Sequence, residues 1–244
     1  MEHEAIADPG FAGAALADLA AWTGLPLAVC RERAYRSGSL HAQEWVFWDP
    51  NTVEELRWFY RAAQGYLFTL CRPCWCTVGA VLPGMELAGK RCLDIGGGIG
   101  TDVLYMAQRG GRAGYHDLGL LNEAFTRSRW ECHAGECEGE VVFGRRVISG
   151  GYDVVTAFDV IEHVPDWPRW LREDVLPMVR RGGAFCYSAP FTRNGTVGAR
   201  GNVGLHVTET ESLVGVMSGA GFREVRRLET DGNADNEAVE WVRR

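Results

Sequence analysis

Four glycines fall within five positions of the stretch "LDIGGGIG" (Gly96, Gly97, Gly98 and Gly100), and Asp94 stands two residues ahead of the first. A glycine turn between a strand and a helix lets a ligand lie on bare backbone, against amide N–H groups and the positive end of the helix. A Cβ there would hold the ligand away and bar positive φ angles. The spacing is G-x-G-x-G, with Thr101 where a dinucleotide fingerprint carries its third glycine. An aspartate at position 94 would repel a pyrophosphate and suits a cationic or amino-bearing ligand. The glycines alone are also compatible with a merely tight turn, so the carboxylate is the discriminating residue.

Cysteine and histidine spacing raises a second chemistry. Cys71, Cys74 and Cys76 in "CRPCWC", and Cys132, His133 and Cys137 in "CHAGEC", are close enough in sequence to suggest zinc. Neither group sits in a turn-rich knuckle. Both continue helical, partly apolar segments in which cysteine behaves as a small hydrophobe, so no metal is expected.

These residues need elements to position them. From Arg91 onward short apolar runs alternate with amphipathic segments, the pattern of a parallel sheet covered on both faces. Strands are expected at 91–95, 112–116, 139–143, 153–158, 183–188, 222–229 and 237–243. Helices are expected near 101–109, 119–132, 167–180 and 209–219, the third capped by Asp166 with Pro168 in its first turn, the last capped by Thr208 with Glu211. The turn-rich link "TDGNADNE" makes the last two strands antiparallel neighbours. The fold class is α/β, a Rossmann-like seven-stranded, mostly parallel sheet with an antiparallel last strand, helices on both faces and an N-terminal helical cap.

Residues 1–85 read as that cap and 86–244 as the sheet domain. Within the cap, helices are expected at 12–22, 26–36 and 52–70, with "HAQEWVFWDP" as an aromatic connector stopped by Pro50. The third opens with Thr52 and Glu55 at capping-box spacing and sets Leu56, Phe59, Ala63, Tyr66, Leu67 and Leu70 on one face.

At 244 residues the chain can bury a full core. Its net charge of -7 argues against broad capture of nucleic acid or of an anionic membrane, both of which need surplus Lys and Arg. No apolar run approaches the roughly 20 residues of a membrane span, and the start "MEHEAIADPG" is acidic where a secretory signal is basic. The expectation is a cytoplasmic protein, monomer or homodimer, with its eight cysteines reduced.

With these residues in place, "LDIGGGIG" resembles the first motif of class I S-adenosylmethionine-dependent methyltransferases. Asp117 in "GYHDLG" stands where that family carries the acidic residue that binds both ribose hydroxyls, with Leu118 beside it. "YDVVTAFDVIEHVPDW" is similar to the fourth-strand motif of the small-molecule branch that includes the ubiquinone-biosynthesis O-methyltransferases, in which Asp159 and Val160 lie beside the cofactor and Glu162-His163 follows. The resemblance covers about residues 88–244. It implies S-adenosyl-L-methionine as cofactor, bound by Asp94, Gly96, Gly97, Gly98, Gly100, Asp117, Leu118, Asp159 and Val160, with Tyr60 or Tyr66 reaching its carboxylate from the cap. The family often has an acidic or amide residue near the adenine amine after the third strand. This chain has Gly144, Arg145 and Arg146 there instead.

Methyl transfer from a sulfonium is an in-line displacement, so alignment and exclusion of water matter most. A base is needed only if the nucleophile must lose a proton, and His163 and His206 are the candidates. Each also has a structural alternative, His163 as a brace of the cofactor loop and His206 as a partner of the adjacent loop. The acceptor is expected to be a small molecule, aromatic if the cap aromatics line its pocket, acidic if Arg193 and Arg200 grip it. Two other readings stay open: an enzyme of the same fold and cofactor that cyclises or decarboxylates, and a catalytically silent cofactor-binding subunit.

Overall fold

The computed structural model describes residues 11–48, 52–62, 64–71, 78–144, 150–189, 211–230 and 233–244. Seven strands form one sheet: β1 (Arg91–Ile95), β2 (Arg112–His116), β3 (Glu140–Phe143), β4 (Tyr152–Phe158), β5 (Val179–Ser188), β6 (Phe222–Thr230) and β7 (Asn233–Arg243). Their order is β3-β2-β1-β4-β5-β7-β6. Pairing is parallel from β3 to β5, and β7 runs antiparallel to both β5 and β6. This is the mostly parallel, doubly covered sheet that the alternating pattern predicts.

Burial explains the register. On β1, Leu93 and Ile95 join one apolar cluster with Val155, Phe185, Trp167, Trp241 and Met217, while Cys92 joins another with Leu104, Tyr115 and Val154 on the opposite face. Alternate residues serving opposite faces is what a parallel sheet between two helical layers requires. Helices α5 (Thr101–Gln108) and α6 (Leu120–His133) follow β1 and β2. The chain leaves β1 toward β2 on one side and later returns as β4 on the other. A crevice opens at such a switch point, outside the carboxyl ends of β1 and β4.

Four helices precede the sheet: α1 (Phe11–Thr23), α2 (Leu27–Trp48), α3 (Val53–Ala62) and α4 (Gln64–Leu70). The capping box is present: Thr52 N donates to Glu55 Oε2 at 2.9 Å and Glu55 N to Thr52 Oγ1 at 3.2 Å. Leu16, Leu19, Cys30, Leu67 and Cys71 pack with Ile99 of the glycine loop and Phe125 of α6. Buried Arg129 on α6 ties the two layers: its Nε donates to Asp18 Oδ2 at 2.9 Å and its Nη1 to Ile99 O at 2.7 Å. Val81 and Leu82 are fully buried in the sheet's own clusters.

Several elements depart from expectation. Residues 41–48, read as a connector, continue α2, which contains one glycine and no proline to stop it. The helix expected at 167–180 is one α turn, α7 (Trp167–Trp170), then a π turn at Leu171–Val175 and a 3₁₀ turn at Leu176–Met178. Pro177 lacks the amide that an α-helix would use, and β5 starts directly after. Asp166 stands at the N-cap of α7 without making a side-chain cap bond. Helix α8 (Leu213–Gly219) begins at Ser212, whose Oγ accepts from Gly215 N at 3.3 Å; Thr208 lies outside the described residues. Strand β7 begins at Asn233, inside the stretch read as a turn, because its pairing with β6 extends to Thr230. Among the described residues no helix is long and apolar enough to cross a membrane.

Candidate active site

The glycine loop lies at the carboxyl end of β1 and runs into α5. Gly96, Gly98 and Gly100 have φ of 70°, 50° and 79°, the left-handed region that side chains rarely adopt. Every turn of the loop is pinned. Gly96 N donates to His116 O at 2.7 Å and Gly100 N to Gly97 O at 2.7 Å. Gly98 O accepts from Tyr115 Oη at 2.7 Å and Thr126 Oγ1 at 3.1 Å. At Gly97 a Cβ would come within 2.8 Å of both Asp94 Oδ2 and the Tyr115 ring. The loop is therefore a rigid backbone surface with no room for side chains.

Behind it sits Asp94, only 2% exposed. Its Oδ1 accepts from Thr156 Oγ1 at 2.7 Å, while its Oδ2 is buried without a hydrogen-bond partner. Burial, then the charge of Asp102, pushes its carboxyl well above the ordinary aspartate range, against the lowering effect of Thr156. Asp102, in the first turn of α5, accepts from Gly79 N at 2.7 Å, and burial pushes it up to about 7. Most buried polar atoms have partners. The orphaned Asp94 oxygen under a glycine surface thus calls for an outside donor or cation.

Asp117 directly follows β2 and works on the loop itself. Its Oδ2 accepts from Gly98 N at 2.9 Å, and its Oδ1 from Gly119 N at 2.6 Å and Asn122 Nδ2 at 3.1 Å. A carboxylate offers about four acceptor positions, so the spare one is on Oδ2, next to Gly98. Burial pushes this carboxyl up to about 6.

Across the crevice, Asp159 follows β4 with φ of 53°, the single non-glycine residue at positive φ among those described. Aspartate tolerates this conformation better than most residues, at a cost of about 1 kcal/mol. Ser188 at the end of β5 holds it there: Asp159 N donates to Ser188 O at 3.0 Å, and Ser188 Oγ donates to Asp159 Oδ1 at 2.6 Å. Val160 packs against Gly96, its Cγ2 within 2.3 Å of where a Cβ would be. Glu162 comes next, fully buried in the 3₁₀ turn Ile161–His163, with His163 half-buried beside it.

The cap closes over these groups. Tyr60 of α3 and Tyr66 of α4 are half-buried, their rings tilted at 54° with centroids 5.3 Å apart, and lie in the field of Asp117 and Glu162. Leu118 packs with them against Leu56 and Phe59. Leu70 approaches Gly98, its Cδ1 3.2 Å from where a Cβ would stand.

The crevice thus assembles Asp94, Gly96, Gly97, Gly98, Gly100, Asp117, Leu118, Asp159, Val160, His163, Tyr60 and Tyr66 from separate parts of the chain. His206, Arg145, Arg146, Arg193 and Arg200, with Cys74 and Cys76, lie outside the described residues. The other cysteine group is placed: Cys132 is exposed and the His133 ring pairs with Asp18 at 3.2 Å. Sequence reasoning missed Thr156, Asp102, Thr126 and Ser188. A polar residue inside the apolar run "DVVTAF" and an acid in a first helical turn were the signals for the first two. The last two act only through tertiary contacts.

Residues 75–174 match the family model described as Methyltransferase domain. Curated relatives agree: the ubiquinone biosynthesis O-methyltransferase of Cronobacter sakazakii is 33% identical over 109 residues, covering 42% of this chain and 43% of the relative. That of Azotobacter vinelandii is 32% identical over 111 residues, 43% of this chain and 46% of the relative. The chain thus aligns with less than half the length of the curated relatives it matches. Among solved structures, magnesium protoporphyrin IX methyltransferase from Synechocystis PCC 6803 superposes with a TM-score of 0.53 at 16% identity, covering 90% of this chain and all of that one. Mitomycin 7-O-methyltransferase gives 0.54 at 17%, covering 96% and 73%. At such identities the structures show the fold alone, a mostly parallel seven-stranded α/β sheet that this chain shares with those two methyltransferases.

Proposed function

We propose that this chain transfers the methyl group of S-adenosylmethionine to a small-molecule acceptor. The observation that carries the reading is the set of carboxyls around the glycine surface: Asp94 lies in the field of Asp102 and Asp117, Asp102 in that of Asp159, and Glu162 in that of Asp159. Such a set repels phosphates and favours a cation. S-adenosylmethionine carries two positive centres, the sulfonium and the ammonium, and the residues present fit it. The bare backbone from Gly96 to Gly100 supplies amides, Asp94 Oδ2 accepts from the amino-acid end, and Asp117 Oδ2 accepts from a ribose hydroxyl. Leu118 and Val160 supply apolar walls, and Asp159 a further anion. Tyr60 and Tyr66 cover the amino-acid end from the cap. When bound, the sulfonium supplies an electrophilic methyl carbon.

The chain's own contribution is to hold, orient and keep dry. The helices before the sheet act as a lid carrying acceptor contacts, and the sheet domain carries the cofactor. An aromatic acceptor suits the edge-to-face run Trp48–Phe59–Tyr60, with centroids 6.4 and 5.2 Å apart. An acidic acceptor would need Arg193 and Arg200 to offset the carboxyls. A cytoplasmic site of action suits a cofactor that is supplied there. The test is a labelled-methyl assay against pooled small molecules, with mass identification of the labelled product. Label should appear in a discrete compound, whereas protein saturated with S-adenosylmethionine that labels nothing would refute the reading.

A further inference from the structure

Helix α6 turns a buried polar stripe toward the glycine loop. Asn122, Thr126 and Arg129 are spaced i, i+4, i+7, which is one face of a helix, and all three are buried. Such a face is ordinarily apolar, because a buried polar group is unfavourable unless it is bonded. Here each is bonded, and to the candidate cofactor site. Asn122 Nδ2 donates to Asp117 Oδ1 at 3.1 Å, and Thr126 Oγ1 to Gly98 O at 3.1 Å. Arg129 Nη1 donates to Ile99 O at 2.7 Å and reaches Thr101 Oγ1 at 3.4 Å, so one side chain spans the exit of the loop into α5. The glycines leave room for this approach: a Cβ at Gly100 would stand 2.2 Å from Thr126 Cγ2, and one at Gly119 2.8 Å from Asn122 Nδ2. The charge of Arg129 is met by Asp18 of α1, which also faces the His133 ring.

Resting on the reading of the chain as an S-adenosylmethionine-dependent methyltransferase, we propose that Asn122, Thr126 and Arg129 are positioning residues that preset the glycine loop and Asp117 for the cofactor, and that Asp18 makes the first helix of the cap part of the cofactor site. A loop with four glycines in five positions has many backbone conformations open to it, and ordering them on binding would subtract from affinity. Thr126 and Arg129 do that ordering beforehand. By holding two successive carbonyls, Gly98 O and Ile99 O, toward α6, they fix the peptide planes between Gly98 and Gly100. Asn122 occupies one Asp117 oxygen and leaves Oδ2 to face Gly98 N and a ribose hydroxyl. Apolar residues of similar size would fill the same face of α6 without turning any loop carbonyl, so packing alone does not call for the stripe. Arg129 is tolerated in the interior because Asp18 offsets its charge. Helix α1 thus supports the loop, and the acceptor contacts fall to α3 and α4, whose Tyr60 and Tyr66 lie beside Leu118.

The test uses the full chain, titrated calorimetrically with S-adenosylmethionine at a temperature well below the Tm of each variant. Thr126→Val and Asn122→Leu, near-isosteric and unable to donate, should each bind about fivefold more weakly than wild type, as for the loss of one hydrogen bond. Thr126→Ser, which keeps the hydroxyl, should bind within about twofold of wild type. Arg129→Met alone leaves Asp18 without its buried cation and should lower Tm steeply. The double variant Asp18→Leu/Arg129→Met removes both charges and should regain most of that Tm. Its affinity for S-adenosylmethionine should nevertheless stay about tenfold below wild type, because no charged donor then holds Ile99 O. A double variant that recovers affinity together with Tm would make Arg129 a residue of the fold alone and overturn the proposal. So would Thr126→Val or Asn122→Leu binding as tightly as wild type, or Thr126→Ser losing as much affinity as Thr126→Val. If the Arg129 variants do not fold, the Thr126 and Asn122 variants decide the matter by themselves. Failure of the wild type to bind S-adenosylmethionine would instead sink the functional reading on which the proposal rests.

Discussion

Asp102 ties the stability of the fold to pH with a sign opposite to that of a salt-bridged acid. Its carboxyl is raised from 3.8 to about 7 by burial, so the folded state holds a proton that the unfolded chain releases earlier. The favourable contribution is complete below the unfolded value, shrinks as pH rises, and is gone once pH passes about 7. The full shift sets a ceiling of about 4 kcal/mol at 1.36 kcal/mol per unit. Between pH 5 and 8 the ceiling is about 3 kcal/mol, and partial solvent contact of this side chain brings the expected loss to about 1–2 kcal/mol. Asp102→Asn removes it, since the amide oxygen can still accept from Gly79 N but cannot ionise. The assay is urea denaturation of both proteins at pH 5 and pH 8. Wild type should lose about 1–2 kcal/mol more than the variant over that interval. Asp117 and Glu162 are raised by other causes and cancel in the comparison, whereas Asp94, which the Asp102 charge raises, titrates lower in the variant and adds to the difference in the same sense. Equal losses, or a larger loss in the variant, would refute the reasoning.

Two further outcomes follow from the same contacts. Gly97→Ala places a methyl 2.8 Å from Asp94 Oδ2 and from the Tyr115 ring, an overpacking of about 1–3 kcal/mol, and calorimetry should show S-adenosylmethionine binding weakened about 10- to 100-fold. Arg129→Met strips the buried partner from Asp18 and from the Ile99 carbonyl and should cost about 3–5 kcal/mol of unfolding free energy, read by denaturant titration.

The sheet was legible because its signals are local. Short apolar runs bounded by glycine place β1, β2, β3 and β4 within a residue, and the glycine turn with Asp94 marks the ligand edge without any tertiary information. What stayed hidden depends on contacts distant in sequence. The π and 3₁₀ turns before Val179 answer to the packing of Leu171, Val175 and Leu176 in the core, not to helix periodicity. Asp117 presented itself as a sugar-binding carboxylate, yet three of its bonds hold the loop, a sharing visible only when Gly98, Gly119 and Asn122 are brought to it. Likewise, nothing in "FDVIEHV" marks Glu162 as fully buried, because its burial arises only when the fold is assembled around it.

The account stands most directly on what the glycine surface binds. Calorimetric titration of the wild-type chain and of Asp117→Ala with S-adenosylmethionine, and of the wild type with NAD, measures this in one experiment. S-adenosylmethionine should bind the wild type with one site per chain, bind the variant at least about tenfold more weakly, and NAD should give no heat of binding. NAD binding as tightly as S-adenosylmethionine would contradict the central claim.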